Sequence, residues 1–236
     1  MSDTDVLGAV AVIGETDCCK ALIERREHAL VALSPFNTLF GQDYINAVLH
    51  WAGSKFDHVD VIVPCPDEAA RVLRASGTAP GRALRKARKE VSRLTKCAAS
   101  SDTKCGVQKS EIRVLTYTDF ADNEKYFYYK SLAEDLFDTC LEFRESCIDI
   151  CHQAISGRRR ACGLDGIPVT EHEIAISVPY VFSELPFYVD TPALLGLKSS
   201  VLLYHKRWSI GSGLFSGNLP MKVAANQGFG LIRRNV

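Results

Sequence analysis

At 236 residues, with 47% hydrophobic and 24% charged side chains, the chain has an ordinary globular composition, which excludes disorder, collagen and coiled coil. The length suits one well-buried α/β domain, taken as 1–236, and leaves no room for two independent domains of usual size with a linker. Lysine plus arginine and aspartate plus glutamate number 28 each, so attraction to an acidic partner such as RNA has to come from local charge runs.

In chain order, the apolar run His28–Leu33 stops at Ser34-Pro35, the pattern of a buried strand ending in a turn, with a helix to follow. Tyr44, Ile45, Val48, Leu49 and Trp51 recur near helical period, and Gly53 is a stop. Val59–Val63 reads as a second buried strand, closed by Pro64 and Pro66. Strand, helix and strand within about 35 residues predict a parallel sheet covered by helices. Open sheets of this kind bind ligands at the carboxyl ends of their strands, where Ser34 sits.

Residues 67–97 read as helix interrupted at Ser76–Gly81, residues 98–110 as loop, and Glu111–Leu115 as a third strand. A long amphipathic helix is predicted over about Lys125–Ile155, then a basic connection over 157–168. Thr170-Glu-His-Glu resembles a capping box, opening a helix that runs toward Glu184 and that Pro186 stops. Ser199–His205 is a further core strand.

Nine cysteines, with no C-x-x-C spacing and with Cys18 and Cys19 adjacent, point to free thiols in a reducing cytoplasm. Cys147, Cys151 and His152 share a helical stretch, but no second half-site accompanies them, so no metal is expected. No run reaches the length of an apolar membrane span, and the first residues lack a signal peptide's basic start and apolar core, so no membrane is expected either.

Taken alone, Ser34 is better read as a turn former or helix cap than as a nucleophile. Its flanks, Ala32 and Phe36, are not those of a G-x-S-x-G elbow, which disfavours an α/β-hydrolase. Three distant segments change this reading: Ser34-Pro35-Phe36-Asn37, Tyr180-Val181-Phe182-Ser183-Glu184, and Ser199-Ser200-Val201-Leu202-Leu203-Tyr204-His205. Together they resemble the tRNA-dependent cyclodipeptide synthases. These carry a serine with asparagine three positions on, a tyrosine four residues before a glutamate, and a Tyr-His pair closing an apolar strand. The likeness extends to His28-Ala29-Leu30 and Trp51-Ala52-Gly53, and Asn37, Tyr204 and His205 resemble the subfamily named for Asn, Tyr and His. Ala32 departs from the glycine many members carry there, which bears on pocket shape.

The resemblance implies a Rossmann-like parallel sheet covered by helices, similar to the catalytic domain of class I tyrosyl- and tryptophanyl-tRNA synthetases. It also implies two aminoacyl-tRNAs as substrates and no cofactor. The phosphate-handling signatures of an amino-acid-activating enzyme, like a Walker glycine loop, are absent from the sequence. By the same resemblance Ser34 is the nucleophile, Glu184 and Tyr180 hold the substrate ammonium, Tyr204 positions the serine and relays a proton, and Asn37 and His205 support the geometry. The first aminoacyl pocket is expected between Leu30, Ala32, Ile62, Phe187 and Leu202, accepting a small, apolar side chain. The bland alternatives are an exposed helix-end carboxylate for Glu184, packing tyrosines at 180 and 204, a cap at Asn37 and a strand-end His205.

Arg82, Arg85, Lys86, Lys89, Arg93 and Lys96 recur at helical steps beside Arg88, with Glu90 the only acid among them. A solvated face is the usual explanation; the near-uniform sign and the family's basic helix at this place favour tRNA phosphates. Arg158-Arg159-Arg160 could add to that surface. Asp135, Asp138, Glu142, Glu145 and Asp149 form an acidic face expected to be exposed, opposite Leu136, Cys140, Phe143, Cys147 and Ile150. The alternatives are an aminoacyl-tRNA hydrolase, a synthetase-like enzyme, or a non-catalytic RNA-binding module. The sequence leaves monomer versus homodimer open.

Overall fold

The computed structural model describes residues 10–105 and 112–234. In chain order the elements are β1 (Val10–Gly14), α1 (Asp17–Arg25), β2 (His28–Ala32), α2 (Gln42–Lys55), β3 (His58–Val63), α3 (Pro66–Ala75), α4 (Pro80–Cys105) and β4 (Arg113–Thr116). After a 3-10 turn over Tyr117–Phe120 come α5 (Glu124–Thr139), α6 (Leu141–Arg160), α7 (Glu171–Leu195), β5 (Ser200–Tyr204), α8 (Ser209–Phe215) and β6 (Gln227–Arg234).

β2 and β5 are buried at every position because helices cover both faces of the sheet, which is why they read as continuous apolar runs. Side chains alternate across the sheet. Ala29, Val31 and Leu33 join Ile45 and Leu49 of α2 and Leu94 of α4 in one core, and Leu30 and Ala32 join Phe143 of α6 and Phe182 and Phe187 of α7 in the other. The strand order is β1-β6-β5-β2-β3-β4, parallel throughout except for the antiparallel edge strand β1. From β2 the chain builds outward through β3 and β4, then crosses back to place β5 on the other side of β2. The switch point therefore lies between β2 and β5, where parallel sheets open a crevice at their carboxyl ends.

At the opposite end of these strands, His28 Nδ1 lies 2.8 Å from Ser200 Oγ and His28 Nε2 lies 3.2 Å from Asp60 Oδ2. Arg113 Nε donates to Asp60 Oδ1 at 2.9 Å. Burial would raise the Asp60 carboxyl, but the bonds from His28 and Arg113 prevail and hold it below its usual value. The network ties β3, β2, β5 and β4 together.

Several predicted boundaries move: α2 runs past Gly53 to Lys55, and α6 runs past Ile155 to Arg160, into the predicted basic connection. Residues 98–105 continue α4 instead of forming a loop, with Ala98 fully buried and Ser101 bonded to Asn46 and to the Cys97 carbonyl; residues 106–110 and Glu111 lie outside the described residues. The long helix predicted over Lys125–Ile155 breaks at Cys140, which takes an extended conformation. Arg144 makes the break stable by donating to the carbonyls of Phe137 and Asp138 at the end of α5. The capping box at Thr170 and Glu173 is present, but α7 does not stop at Pro186. It runs on to Leu195 and kinks at Asp190, where tertiary partners occupy backbone groups that the kink frees. Ala224 N–H donates to the Val189 carbonyl at 2.8 Å, and Thr191 N–H to Gln227 Oε1 at 2.8 Å.

The acidic face is exposed along both α5 and α6, and Phe143, Cys147 and Ile150 are buried. Arg159 does not extend a basic surface. It is buried, donates to the carbonyls of Ile167 and Pro168, and pairs with Glu173, so it folds the connection between α6 and α7. No helix among the described residues is long and apolar enough to cross a membrane.

Candidate active site

Ser34 leaves the end of β2 and Tyr204 closes β5, so the parallel register that sets Leu30 against Leu202 brings both to the switch point. The Tyr204 side chain is hydrogen-bonded to Ser34 and to Trp208. Burial drives its phenol well above the ordinary value, and the Glu184 carboxyl adds to the shift, so Tyr204 is a neutral hydroxyl at physiological pH. The chain then turns sharply: Phe36 has a φ of 64°, a left-handed conformation uncommon for a bulky residue.

Asn37 Oδ1 accepts the Leu39 N–H at 3.0 Å, which turns the amide nitrogen toward His205 Nε2 at 2.8 Å. His205 Nε2 is thus the acceptor and the ring proton sits on Nδ1. Burial lowers the imidazole to about 4, so His205 is neutral in the working range. Asn37 and His205 form a strut across the switch point, joining the serine loop to the end of β5.

Tyr180 and Glu184 lie one turn apart on α7, which aims both inward. Glu184 is buried, with 5% of its surface accessible, so the bland reading of an exposed carboxylate fails. Burial pushes its carboxyl up to about 8, against a smaller lowering by the Tyr180 hydroxyl. Its Oε2 is buried without a hydrogen-bond partner. The ring of Tyr180 faces a cavity while its hydroxyl reaches Glu184 and Tyr117.

The site has a large chamber and a small one. The first is a cavity of about 400 Å³ lined by Ser34, Asn37, Tyr180, Tyr204 and His205 and by residues of α3, α6 and α7. Its charged lining residues are Arg158 and Lys206. The second is a void of about 10 Å³, space for roughly one water, between Ala32, Leu33, Ile62, Pro64, Tyr117, Glu184, Phe187 and Leu202. Four of the five residues expected around the first aminoacyl group meet in this wall. The fifth, Leu30, is fully buried in the same core without lining the void. Tyr117 carries no motif or spacing signal in the sequence. Only the fold stacks it on Phe187, with ring centroids 5.2 Å apart. Trp208 was also missed, since its neighbourhood has no recognisable pattern.

On α4, Arg82, Arg85, Lys86, Lys89 and Lys96 are exposed along the helix. Arg93 differs: its guanidinium is bound to Glu90 at 2.8 Å and to the Phe40 carbonyl at 3.0 Å.

A profile of the cyclodipeptide synthase family matches residues 10–234. The chain is 38% identical to the cyclo(L-leucyl-L-leucyl) synthase of Photorhabdus laumondii over 94% of each chain. Its structure superposes on that of a cyclodipeptide synthase from Bacillus thermoamylovorans with a TM-score of 0.91 and 29% identity, over 99% of this chain and 100% of the other. A Mycobacterium tuberculosis protein, whose structure relates cyclodipeptide synthetases to type I tRNA synthetases, has the same fold, with a TM-score of 0.82 at 22% identity over 97% of this chain and 94% of that one. With a six-stranded sheet whose crevice collects serine, tyrosines and a buried glutamate, and with likeness along nearly its whole length, the chain belongs to the cyclodipeptide synthase family.

Proposed function

We propose that the chain joins the amino acids of two aminoacyl-tRNAs into a diketopiperazine through ester intermediates on Ser34, without ATP. The observation that carries this reading is the buried Glu184 carboxyl, bonded by Tyr180 on one side and open on its Oε2, in the wall of the small void beside the Ser34 loop. An α-ammonium is the group such a carboxyl is built to receive.

An aminoacyl-tRNA ester is already activated, so the chain has to supply a nucleophile, proton transfer and orientation. Ser34 Oγ attacks the aminoacyl carbonyl, the ester bond to the ribose breaks, and the serine proton reaches the leaving ribose oxygen with the neutral Tyr204 hydroxyl as relay. Glu184 takes a proton from the α-ammonium of the seryl-held residue, for which a value near 8 is well matched to the working pH. The freed amine attacks the ester of a second aminoacyl-tRNA, giving a dipeptidyl ester on Ser34 and a second free tRNA. The new terminal amine closes on the seryl carbonyl, releasing the ring and restoring the serine. Water takes part in no step.

Arg158 and Lys206 at the large cavity, and Arg82, Arg85, Lys86, Lys89 and Lys96 on α4, would hold tRNA phosphates. The substrates put the working compartment in the cytoplasm. For the first amino acid an aliphatic side chain, leucine foremost, matches the apolar character of this wall, which has to part to admit it, and is in keeping with the Photorhabdus relative.

The test is purified protein with leucyl-tRNA carrying radioactive leucine and no ATP. Wild type should form cyclo(Leu-Leu) and a labelled protein; Ser34→Ala should do neither. Accumulating free leucine would favour a hydrolase, intact leucyl-tRNA a binding module, and labelled Ser34→Ala a different nucleophile.

A further inference from the structure

Between Arg82 and Lys96 on α4, Glu90 is the one acid, and it does not face solvent freely: its side chain is 18% accessible. Its Oε1 accepts the backbone N–H of Phe36 at 3.2 Å. This is the residue with φ of 64°, two positions after Ser34. Arg93, one turn on, holds the carboxylate through Nε at 3.0 Å and through its terminal nitrogen at 2.8 Å. The same Arg93 donates to the Phe40 carbonyl at 3.0 Å, at the far end of the loop. From α6, the Arg158 guanidinium lies over the Phe36 ring at 5.3 Å. A left-handed bulky residue costs of order 1–3 kcal/mol and persists only where its surroundings hold it. Here those holds are a carboxylate on the N–H and a cation on the ring.

We propose that Glu90, oriented by Arg93, is a positioning residue for Ser34: by accepting the Phe36 N–H it holds the turn that aims the serine, and so fastens the catalytic loop to the basic helix. The inference rests on Ser34 being the acylated group. It explains the acid interrupting an otherwise cationic stripe and the tethering of Arg93 to Glu90 and the Phe40 carbonyl among solvated neighbours. The Glu90 carboxyl lies below its usual value, chiefly through Arg93 and despite partial burial, with Phe36 and Arg158 adding to the lowering, so the acceptor is charged throughout the neutral range.

Two variants separate positioning from a place on the tRNA face. Glu90→Met keeps length and helix propensity but has no oxygen to accept the N–H; Glu90→Gln keeps an acceptor oxygen and loses the charge. Single-turnover acylation of Ser34 would be followed at saturating leucyl-tRNA, with tRNA affinity measured separately. A misaimed nucleophile should slow acylation in Glu90→Met by about tenfold or more. Affinity should hold or tighten, because a negative charge has left a cationic helix. Glu90→Gln should recover most of the rate.

An unchanged saturating rate in Glu90→Met, equal losses in both variants, or a loss wholly in affinity would overturn the proposal. If wild type itself is not acylated at Ser34, the functional reading falls instead.

Discussion

The sharpest consequence of the buried site concerns Glu184 and proton concentration. Its carboxyl moves from the ordinary 4.5 to about 8 because burial penalises the charged form, so the native state binds its proton more tightly than the unfolded chain does. The stabilisation from the neutral acid is therefore complete below about pH 4.5 and is lost as pH rises through 8. Between pH 5 and pH 7 the loss amounts to about 2–3 kcal/mol. A chain of this size shifts its midpoint by roughly 2–4 °C per kcal/mol, which makes about 5–10 °C. Glu184→Gln has nearly the same shape and no ionisation. The thermal midpoint of wild type minus that of Glu184→Gln should therefore fall by about that much from pH 5 to pH 7, with every other titration cancelling in the difference. Diketopiperazine formation by the variant should drop by about a hundredfold or more, on the scale of a lost general base. Differential scanning fluorimetry across that range decides the matter. A difference independent of pH would mean that Glu184 is already solvated and ionised, and the mechanism drawn for it would fail.

Three further outcomes are expected. Neutralising Arg82, Arg85, Lys86 and Lys89 together should weaken tRNA binding and lower the slope of log K against log salt by up to about 3, with Arg93 left intact because it is tied to Glu90; an unchanged slope would assign the stripe to solvation. Ala32→Gly should widen the product range toward larger first residues, since a methyl in a close-packed wall discriminates by about ten- to a hundredfold, and a wild type already incorporating mainly Phe, Tyr or Trp at that position would sink the idea. Arg159→Ala should destabilise the protein by about 3 kcal/mol in chemical denaturation, by leaving Glu173 and two loop carbonyls without their donor, yet leave the salt slope of tRNA binding unchanged.

Sequence by itself determined the βαβ start of the sheet, because apolar runs bounded by Ser34-Pro35 and by Pro64 and Pro66 have few other uses. It also singled out Ser34, Asn37, Tyr180, Glu184, Tyr204 and His205 through the company they keep along the chain. It could not see that α7 passes through Pro186 and kinks only at Asp190, where the Val189 carbonyl and the Thr191 N–H are met by Ala224 and Gln227, distant in sequence. Nor could it see the break at Cys140, where an unbroken apolar stripe hides a helix end that Arg144 caps from outside. Local pattern reports periodicity, whereas a helix boundary depends on where the freed backbone groups find partners. The site divides the same way. The identities of its side chains were legible in sequence, but the protonation of Glu184, the membership of Tyr117 and the grip of Glu90 on Phe36 were decided only when β2, β5, α4 and α7 met. Dielectric surroundings and long-range contacts are properties of the packed molecule, and no stretch of chain carries them alone.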